Sequence, residues 1–399
     1  MKKYMNLFIL SIFIVIMVGY FYIENSKTSN LFPNFKIEKI SGNDDAIKDM
    51  IITGELHYNY YGFDSFRITP EETKYFRDEP FLTRVNRYYK QINVESLQKE
   101  YRNFMRGKDE FIGSFYETDD VLVYGSTTYD SWSIDSEKFD IALLDKQTND
   151  IISFQVPIPN RNEYWYIDTR EIYLTENELL LITVNHIGTA NDEIGEVHIY
   201  TFDMKEKKLL NDEIIEEIQY ENIGHGNKNV DVLLDEKNEE VLVYKSVVQY
   251  TEDPHSLNDT AKIENVVKYS LKTKEKEFVH EELDQGIPIA LIDDKLYLAQ
   301  NQERKLKLTQ YDLEKDKVMD QLEIDILNVD FSIEELNEPL VKNGKFYFVP
   351  VMVDGNMECT ISVVDLINFE VEYNGKIDIA EPLKLQEVAI YFSEIELIR

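Results

Sequence analysis

Four arginines, Arg84, Arg87, Arg102 and Arg106, fall within one short stretch of an otherwise acidic chain. Guanidinium groups gathered in this way pair with carboxylates and phosphates, which makes them the candidate docking residues of the sequence. Residues 64–108 hold ten Lys and Arg against seven Asp and Glu, a local excess of three positive charges in a chain of net charge −34. Two roles suit such residues. They belong either to an insertion whose arginines pair with the acidic body, as surface charges ordinarily do, or to a docking element for an anionic partner: a carboxylate-bearing protein, an anionic wall polymer or a membrane surface.

Other chemistries have little support. There is no phosphate-binding loop, no G-x-G-x-x-G and no G-x-S-x-G elbow. The histidines (57, 186, 198, 225, 255 and 280) form neither H-E-x-x-H nor H-x-x-E-H. His186 and His198 flank a turn, "NHIGTANDEIGEVH", and read as a surface pair across a hairpin. Cys359 is the single cysteine, so neither an internal disulfide nor a zinc cluster can be drawn; "MECTISVV" reads as a strand with a buried thiol. Carboxylates are too abundant to single out an acid–base couple, and "DDAIKD" and "NDEIGE" lack the spacing of a calcium loop. The sequence calls for no metal and no cofactor. Tyr124, Tyr244, Tyr297 and Tyr347 stand at alternating strand positions and read as packing residues before a sugar platform.

The elements that would position any site come from a repeated phrase. "LLDKQTNDII", "TFDMKEKKLL", "YSLKTKEKEF", "YDLEKDKVM" and "VVDLINFEV" align on Asp145, Asp203, Ser270, Asp312 and Asp365. An apolar residue follows six positions later in four of them: Ile151, Leu209, Val318 and Val371. Each phrase follows an alternating strand such as "EVHIYTF", so it reads as strand, polar turn and return strand, with the Asp bonding backbone N–H groups in the turn. A second turn-and-strand phrase precedes each, as in "TENELLLITV" and "EKNEEVLVYKS". The unit is four antiparallel strands, repeated at intervals of 58, 67, 42 and 53 residues between anchor positions. Four-stranded units bury their faces against neighbours and must close into a ring, which predicts an all-β propeller. "IKDMIITGELHYNYYGFDSFRI" (47–68) and "LKLQEVAIYFSEIELI" (383–398) supply strands for a closing blade made from both chain ends, so six blades are expected, or seven.

Residues 69–108 interrupt the rhythm. "NVESLQKEYRNFMRGK" predicts an amphipathic helix with Val94, Leu97, Tyr101, Phe104 and Met105 on one face, Asn93 as N-cap and Gly107 just past the end. It reads as a basic insertion packed over the propeller.

The chain begins "MKKYMN" and continues with "LFILSIFIVIMVGYFYI", residues 7–23, which carry no charge. That run is at the short end of a membrane span. Tyr20, Phe21 and Tyr22 resemble an interfacial aromatic belt where a cleavage site would need small residues. The expectation is a cytoplasmic N-terminus (1–6), an uncleaved transmembrane anchor (7–23), a polar tether (24–46) and an extracytoplasmic domain (47–399); a cleaved signal peptide is the alternative. With 43% hydrophobic residues the domain can bury a substantial core. Its acidity repels phosphate backbones and argues against nucleic acid.

A basic N-terminus, one anchor and an acidic propeller rich in Lys, Glu, Asn and Ile together resemble membrane-anchored extracytoplasmic β-propeller proteins of Gram-positive bacteria. The resemblance implies a binding, scaffolding or sensory-accessory role at the cell surface, with a protein or cell-wall partner. Two other functions fit the same outline: an enzyme acting on wall glycan or peptide through carboxylates in a central channel, and a binding domain for a small wall-derived ligand.

Overall fold

The computed structural model describes residues 8–20, 32–58, 62–80, 92–128, 136–175, 178–189, 192–219, 226–235, 237–249, 260–283, 286–302, 305–326, 340–350, 352–354, 359–379 and 388–398. Their strands form six antiparallel sheets. The first holds β5 (Phe115–Glu117), β6 (Val121–Thr127), β7 (Lys138–Asp145) and β8 (Ile151–Pro157). The second holds β9 (Tyr164–Leu174), β10 (Glu178–Thr189), β11 (Asp192–Asp203) and β12 (Lys208–Gln219). The third runs from β13 (Gly226–Asp235) through β14 (Glu240–Gln249) and β15 (Thr260–Ser270) to β16 (Lys276–Leu283). The fourth runs from β17 (Ile287–Ile292) through β18 (Lys295–Gln302) and β19 (Lys305–Asp312) to β20 (Lys317–Asp325).

The last two sheets are mixed from both ends of the chain. The fifth contains β21 (Leu340–Lys342), β22 (Lys345–Phe348), β24 (Cys359–Asp365) and β25 (Glu370–Ile379), with β1 (Phe35–Gly42) added along β25. The sixth pairs the final strand β26 (Val388–Leu397) with β2 (Met50–Tyr58), followed by β3 (Gly62–Ile68) and β4 (Thr73–Tyr75). Closure by both termini is therefore as expected. Two details are not. Residues 35–42, assigned to the tether from sequence, are a paired strand, because Phe35 and Ile37 alternate inward; Phe35 packs its ring 4.8 Å from Phe66. A short strand, β23 (Met352–Asp354), leaves the fifth sheet and pairs with β26 in the sixth.

The repeated phrase forms the hairpin between third and fourth strands. Asp145 Oδ1 accepts from the N–H groups of Gln147 and Thr148 at 2.9 and 2.8 Å, Asp203 Oδ1 from Lys205 and Glu206, and Asp365 Oδ1 from Ile367 and Asn368. Asp312 accepts from Lys315, and Ser270 substitutes its hydroxyl, accepting from Thr273. Four positions after each anchor the backbone turns left-handed: φ is 62° at Asn149, 55° at Lys207, 61° at Lys274, 50° at Asp316 and 53° at Phe369. The residue after the anchor ties this turn to the one between first and second strands, as in Leu271 N–H to the Glu239 carbonyl (2.8 Å) and Leu366 N–H to the Gly344 carbonyl (2.8 Å).

Alternate side chains of each middle strand serve two different cores. In β14, Val241 and Val243 face the second sheet, packing with Ile182 and Val197, while Leu242 and Tyr244 face the fourth, packing with Leu296 and Leu298. Near-continuous apolar runs such as "VLVY" follow from burial on both faces. Tyr124, Tyr244, Tyr297 and Tyr347 are all buried packing residues, as expected.

Between the first and sixth sheets the packing is done by a helix. It spans Ile92–Glu100, shorter than the expected 93–108, and Asn93 lies inside it instead of capping it. The chain then turns, with Gly107 at φ +80°. Val94, Leu97, Phe104 and Met105 bury against Leu122, Tyr124, Ala142 and Leu144 of the first sheet. On the other side, Asn93 N–H donates to Glu396 of β26 (3.0 Å) and Arg67 of β3 meets Glu95 (3.4 Å). The segment is thus a wedge in the ring, not a layer over it. Packing dominates its attachment: a fully buried apolar side chain contributes about 1.5–3 kcal/mol, against under about 1 kcal/mol for a solvent-touched ion pair.

Candidate functional site

The second sheet carries an interruption on its first strand. Along β9, Tyr164 pairs with Ile187 and Tyr166 with His186, leaving Trp165 opposite no residue; further on, Thr169 pairs with Thr183 and Glu171 with Ile182, leaving Arg170 unopposed. These are two β-bulges on one strand. Core packing requires the first. Tyr164 and Ile167 both bury in the core shared with the first sheet, yet they stand three apart, which a strand of period two cannot satisfy. One extra residue restores the register, and Trp165 is that residue.

The bulge turns Trp165 outward. It is 53% exposed and Tyr166 49% exposed. Their rings lie 5.8 Å apart, and the His186 ring sits 5.5 Å from Trp165 and 5.7 Å from Tyr166, so three rings form one continuous surface. Beside them, Arg170 bonds Asp168 of its own strand at 2.9 Å and reaches Asp231 of β13 at 3.4 Å. Asp231 in turn accepts from Ser246 Oγ at 2.8 Å. Partial burial, then the negative charge of Asp168, raise the Tyr166 phenol above its ordinary range, with Arg170 offsetting. The platform and the charged group therefore share one electrostatic neighbourhood.

Behind the platform lies a buried polar network. His198, 1% exposed, places Nδ1 2.6 Å from Asp212 and Nε2 3.1 Å from Glu196, with the Tyr164 hydroxyl 3.4 Å from Nε2. Tyr200 stacks on the imidazole and accepts from Asn185, which accepts from Thr183 at 2.7 Å. Arg161 clamps the start of β9: its Nε donates to buried Glu137 at 2.8 Å, and its Nη1 donates to the Tyr164 carbonyl. Burial, and then the Glu196 charge, push the Tyr164 phenol up to about 12. Both the ring and the carbonyl of Tyr164 are thus held, which fixes the residue from which the first bulge starts.

The first strands of the first four sheets lie side by side, β5 against β9, β9 against β13 and β13 against β17. Each of these four sheets turns its first strand inward. The fold is a β-propeller. Its platform belongs to the inner strand of the second blade. No family model and no curated protein matches the chain. Among solved structures it is similar to the β-propeller domain of the Trilobed protease from Pyrococcus furiosus (10% identity, 92% of this chain and 98% of that one, TM-score 0.34). It is also similar to the apocarotenoid oxygenase of Synechocystis (9%, 88% and 94%, TM-score 0.38) and to the acylaminoacyl peptidase of Pyrococcus horikoshii (13%, 87% and 46%, TM-score 0.34).

The residues singled out from sequence are not brought together as a site. Arg84 and Arg87 lie outside the described residues. Arg102 and Arg106 are exposed on the turn that follows the wedge helix. Neighbouring basic residues of the same segment act within the fold: Arg77 meets Asp64 at 3.4 Å and sits 4.2 Å over the Phe32 ring. His186 and His198 do not pair across the hairpin. Thr183 opposes His198 and Gly195 opposes His186, so the two histidines occupy opposite faces of the blade.

Two carboxyls with raised values, Asp140 and Glu240, stand on different blades. Burial raises both; Lys268 faces Glu240 at 3.4 Å. They do not converge as an acid–base couple. Among the described residues, no group of three or more His, Cys, Asp and Glu is placed to hold a metal. The platform was missed in the sequence although its signal was present: in "YWYIDT" the buried residues break period two.

Proposed function

We propose that this chain is an extracytoplasmic β-propeller, tethered to the membrane by its N-terminal segment, that works as a binding module through the Trp165–Tyr166–His186 platform. The observation that carries the reading is the bulge at Trp165, which exposes an aromatic surface on an inner strand at the expense of ladder pairing. Bulges that re-aim side chains are concentrated beside functional sites, and exposed apolar patches rimmed by polar residues mark interaction surfaces. The interior charges of this blade are engaged in pairs and networks that position strands, which favours a platform over a reaction centre.

The membrane anchor rests on the sequence of residues 7–23. Within it the helix covers residues 8–20, and its apolar side chains from Phe8 to Val18 are exposed. At 1.5 Å per residue this helix is roughly 20 Å long, less than a hydrocarbon core of roughly 30 Å. No helix of the described residues is long and apolar enough to cross a membrane.

The test is crosslinking capture from intact membranes, comparing the native chain, Trp165→Ala/Tyr166→Ala, and Arg84, Arg87, Arg102 and Arg106 all changed to Glu. The proposal expects a partner lost with the aromatic pair and kept with the arginine set. Loss with the arginine set alone assigns docking to the basic segment instead. Alkaline carbonate extraction of the same membranes tests the anchor: a chain released into the supernatant is not anchored.

A further inference from the structure

We infer that the platform binds a neutral oligosaccharide, one sugar ring stacked on Trp165 and Tyr166 and its hydroxyls engaged by Asp168, Arg170 and Asp231. This rests on the binding-module reading and names its ligand.

Three observations select the ligand class. The three rings touch one another, with centroids 5.5–5.8 Å apart. Their planes are tilted by only 31–54° to one another, so they spread as a surface and do not stand as the walls of a cage for a quaternary ammonium. The chain carries a net charge of −34, which repels phosphodiesters and polyanions. The adjoining charges are fixed, since Arg170 is held between Asp168 and Asp231. A lipid tail laid across them would desolvate all three without replacing their hydrogen bonds.

A pyranose meets each condition. It is uncharged, it presents an apolar C–H face suited to stacking on a flat aromatic surface, and its hydroxyls lie around the ring edge where donors and acceptors are needed. Arg170 offers N–H donors and the two aspartates offer acceptors. Their mutual ion pairs hold them in place before a ligand arrives, so little side-chain entropy is lost on binding. The two bulges produce this pairing of functions: one delivers the stacking ring at 165 and the other the guanidinium at 170, both on β9.

The experiment uses the full chain in a detergent without a sugar headgroup, carrying Trp132→Phe so that Trp165 is the single tryptophan, excited selectively at the red edge of its absorption. Neutral oligomers of N-acetylglucosamine, β-linked glucose and α-linked glucose are titrated, alongside a proline-rich peptide, the other ligand that aromatic surfaces accept. The expected result is a saturable change in Trp165 emission with at least one oligosaccharide. By calorimetry the affinity falls at least tenfold in Trp165→Ala and in Tyr166→Ala. Because both side chains are half-exposed, circular dichroism of the variants is expected to match the parent.

Absence of any oligosaccharide response up to about 10 mM, an affinity of a few kcal/mol, overturns the inference. Unchanged binding in Trp165→Ala overturns it equally. A response to the peptide alone overturns the glycan assignment and leaves the binding-module reading standing. Silence toward both, together with membrane capture unaffected by the aromatic substitutions, overturns both.

Discussion

The Glu396 carboxylate, on the last strand of the chain, accepts the backbone N–H of Asn93 at 3.0 Å, in the first turn of the wedge helix 303 positions earlier. The first N–H groups of a helix have no partner within it, and the helix dipole favours a negative charge there. Glu396 is buried, so the contact is shielded from solvent. One bond therefore joins the strand that closes the ring to the segment that fills the gap between sixth and first blades.

Glu396→Ala is expected to lower stability by about 1.5–3 kcal/mol, the usual range for a hydrogen bond to a charged group. Leu97→Ala, which opens a cavity between helix and first blade, is expected to cost about 2–5 kcal/mol. Urea unfolding measures both. Trypsin cleavage after exposed Arg102 and Arg106 should also accelerate in Glu396→Ala if the wedge loosens before the blades do.

The left-handed residue of each outer turn predicts opposite signs at two sites. Lys207 is exposed with φ 55°, so Lys207→Gly removes the strain of a Cβ there and is expected to be neutral or stabilising by up to about 1 kcal/mol. Phe369 has φ 53° but packs its ring 6.0 Å from Tyr297 on the neighbouring blade. Phe369→Gly is therefore expected to destabilise, because lost packing exceeds relieved strain. Asp203→Ala, which leaves two turn N–H groups without their acceptor, is expected to cost about 1 kcal/mol. Denaturation midpoints of the three variants decide the matter.

Cys359 is buried in β24, and burial pushes its thiol far above its ordinary value. The thiolate is the reactive form. A thiol-specific disulfide reagent at about pH 8 is expected to react at least about 100-fold more slowly with the native chain than with the chain in concentrated guanidinium. Rapid native reaction would show that the fifth blade opens.

Acid should weaken the fold through its outer turns. The Thr148 N–H, then Gln147, hold Asp145 below the usual carboxylate range; the Lys315 ammonium and N–H do the same for Asp312. At Asp365 partial burial works upward and is outweighed by bonds from Asn368 and Ile367. Groups depressed in the folded state contribute stability above their unfolded value, about 4, and that contribution is lost as pH falls through the folded values. The urea midpoint is expected to hold from about pH 7 to about pH 5 and to fall below about pH 4. Asp145→Asn/Asp312→Asn/Asp365→Asn should be less stable near neutrality and show a shallower decline. An identical acid profile in the triple variant would place the sensitivity elsewhere.

The blades are written in local sequence. Period-two alternation, an acidic or hydroxyl anchor with an apolar residue six positions on, and strands at both ends are local features, and each turn closes with its own side chains. Asp235 obeys the same rule, accepting from Lys237 and Asn238 before left-handed Glu239, although it lies between first and second strands. Local codes of this kind are legible because the partners lie a few residues apart.

The wedge and the platform were decided by tertiary structure. Whether residues 92–108 lie over the ring or inside it depends on Glu396 and Leu122, remote in sequence. His198 alternates with Tyr200 and Phe202 in a pattern that marks an inward position, but its partner Asp212 comes from the neighbouring strand. Trp165 is exposed because Tyr164 and Ile167 are both drawn into the core shared with the first blade. That core exists only once two blades have met, and the strand then accommodates it by turning outward the two residues between them, Trp165 and Tyr166.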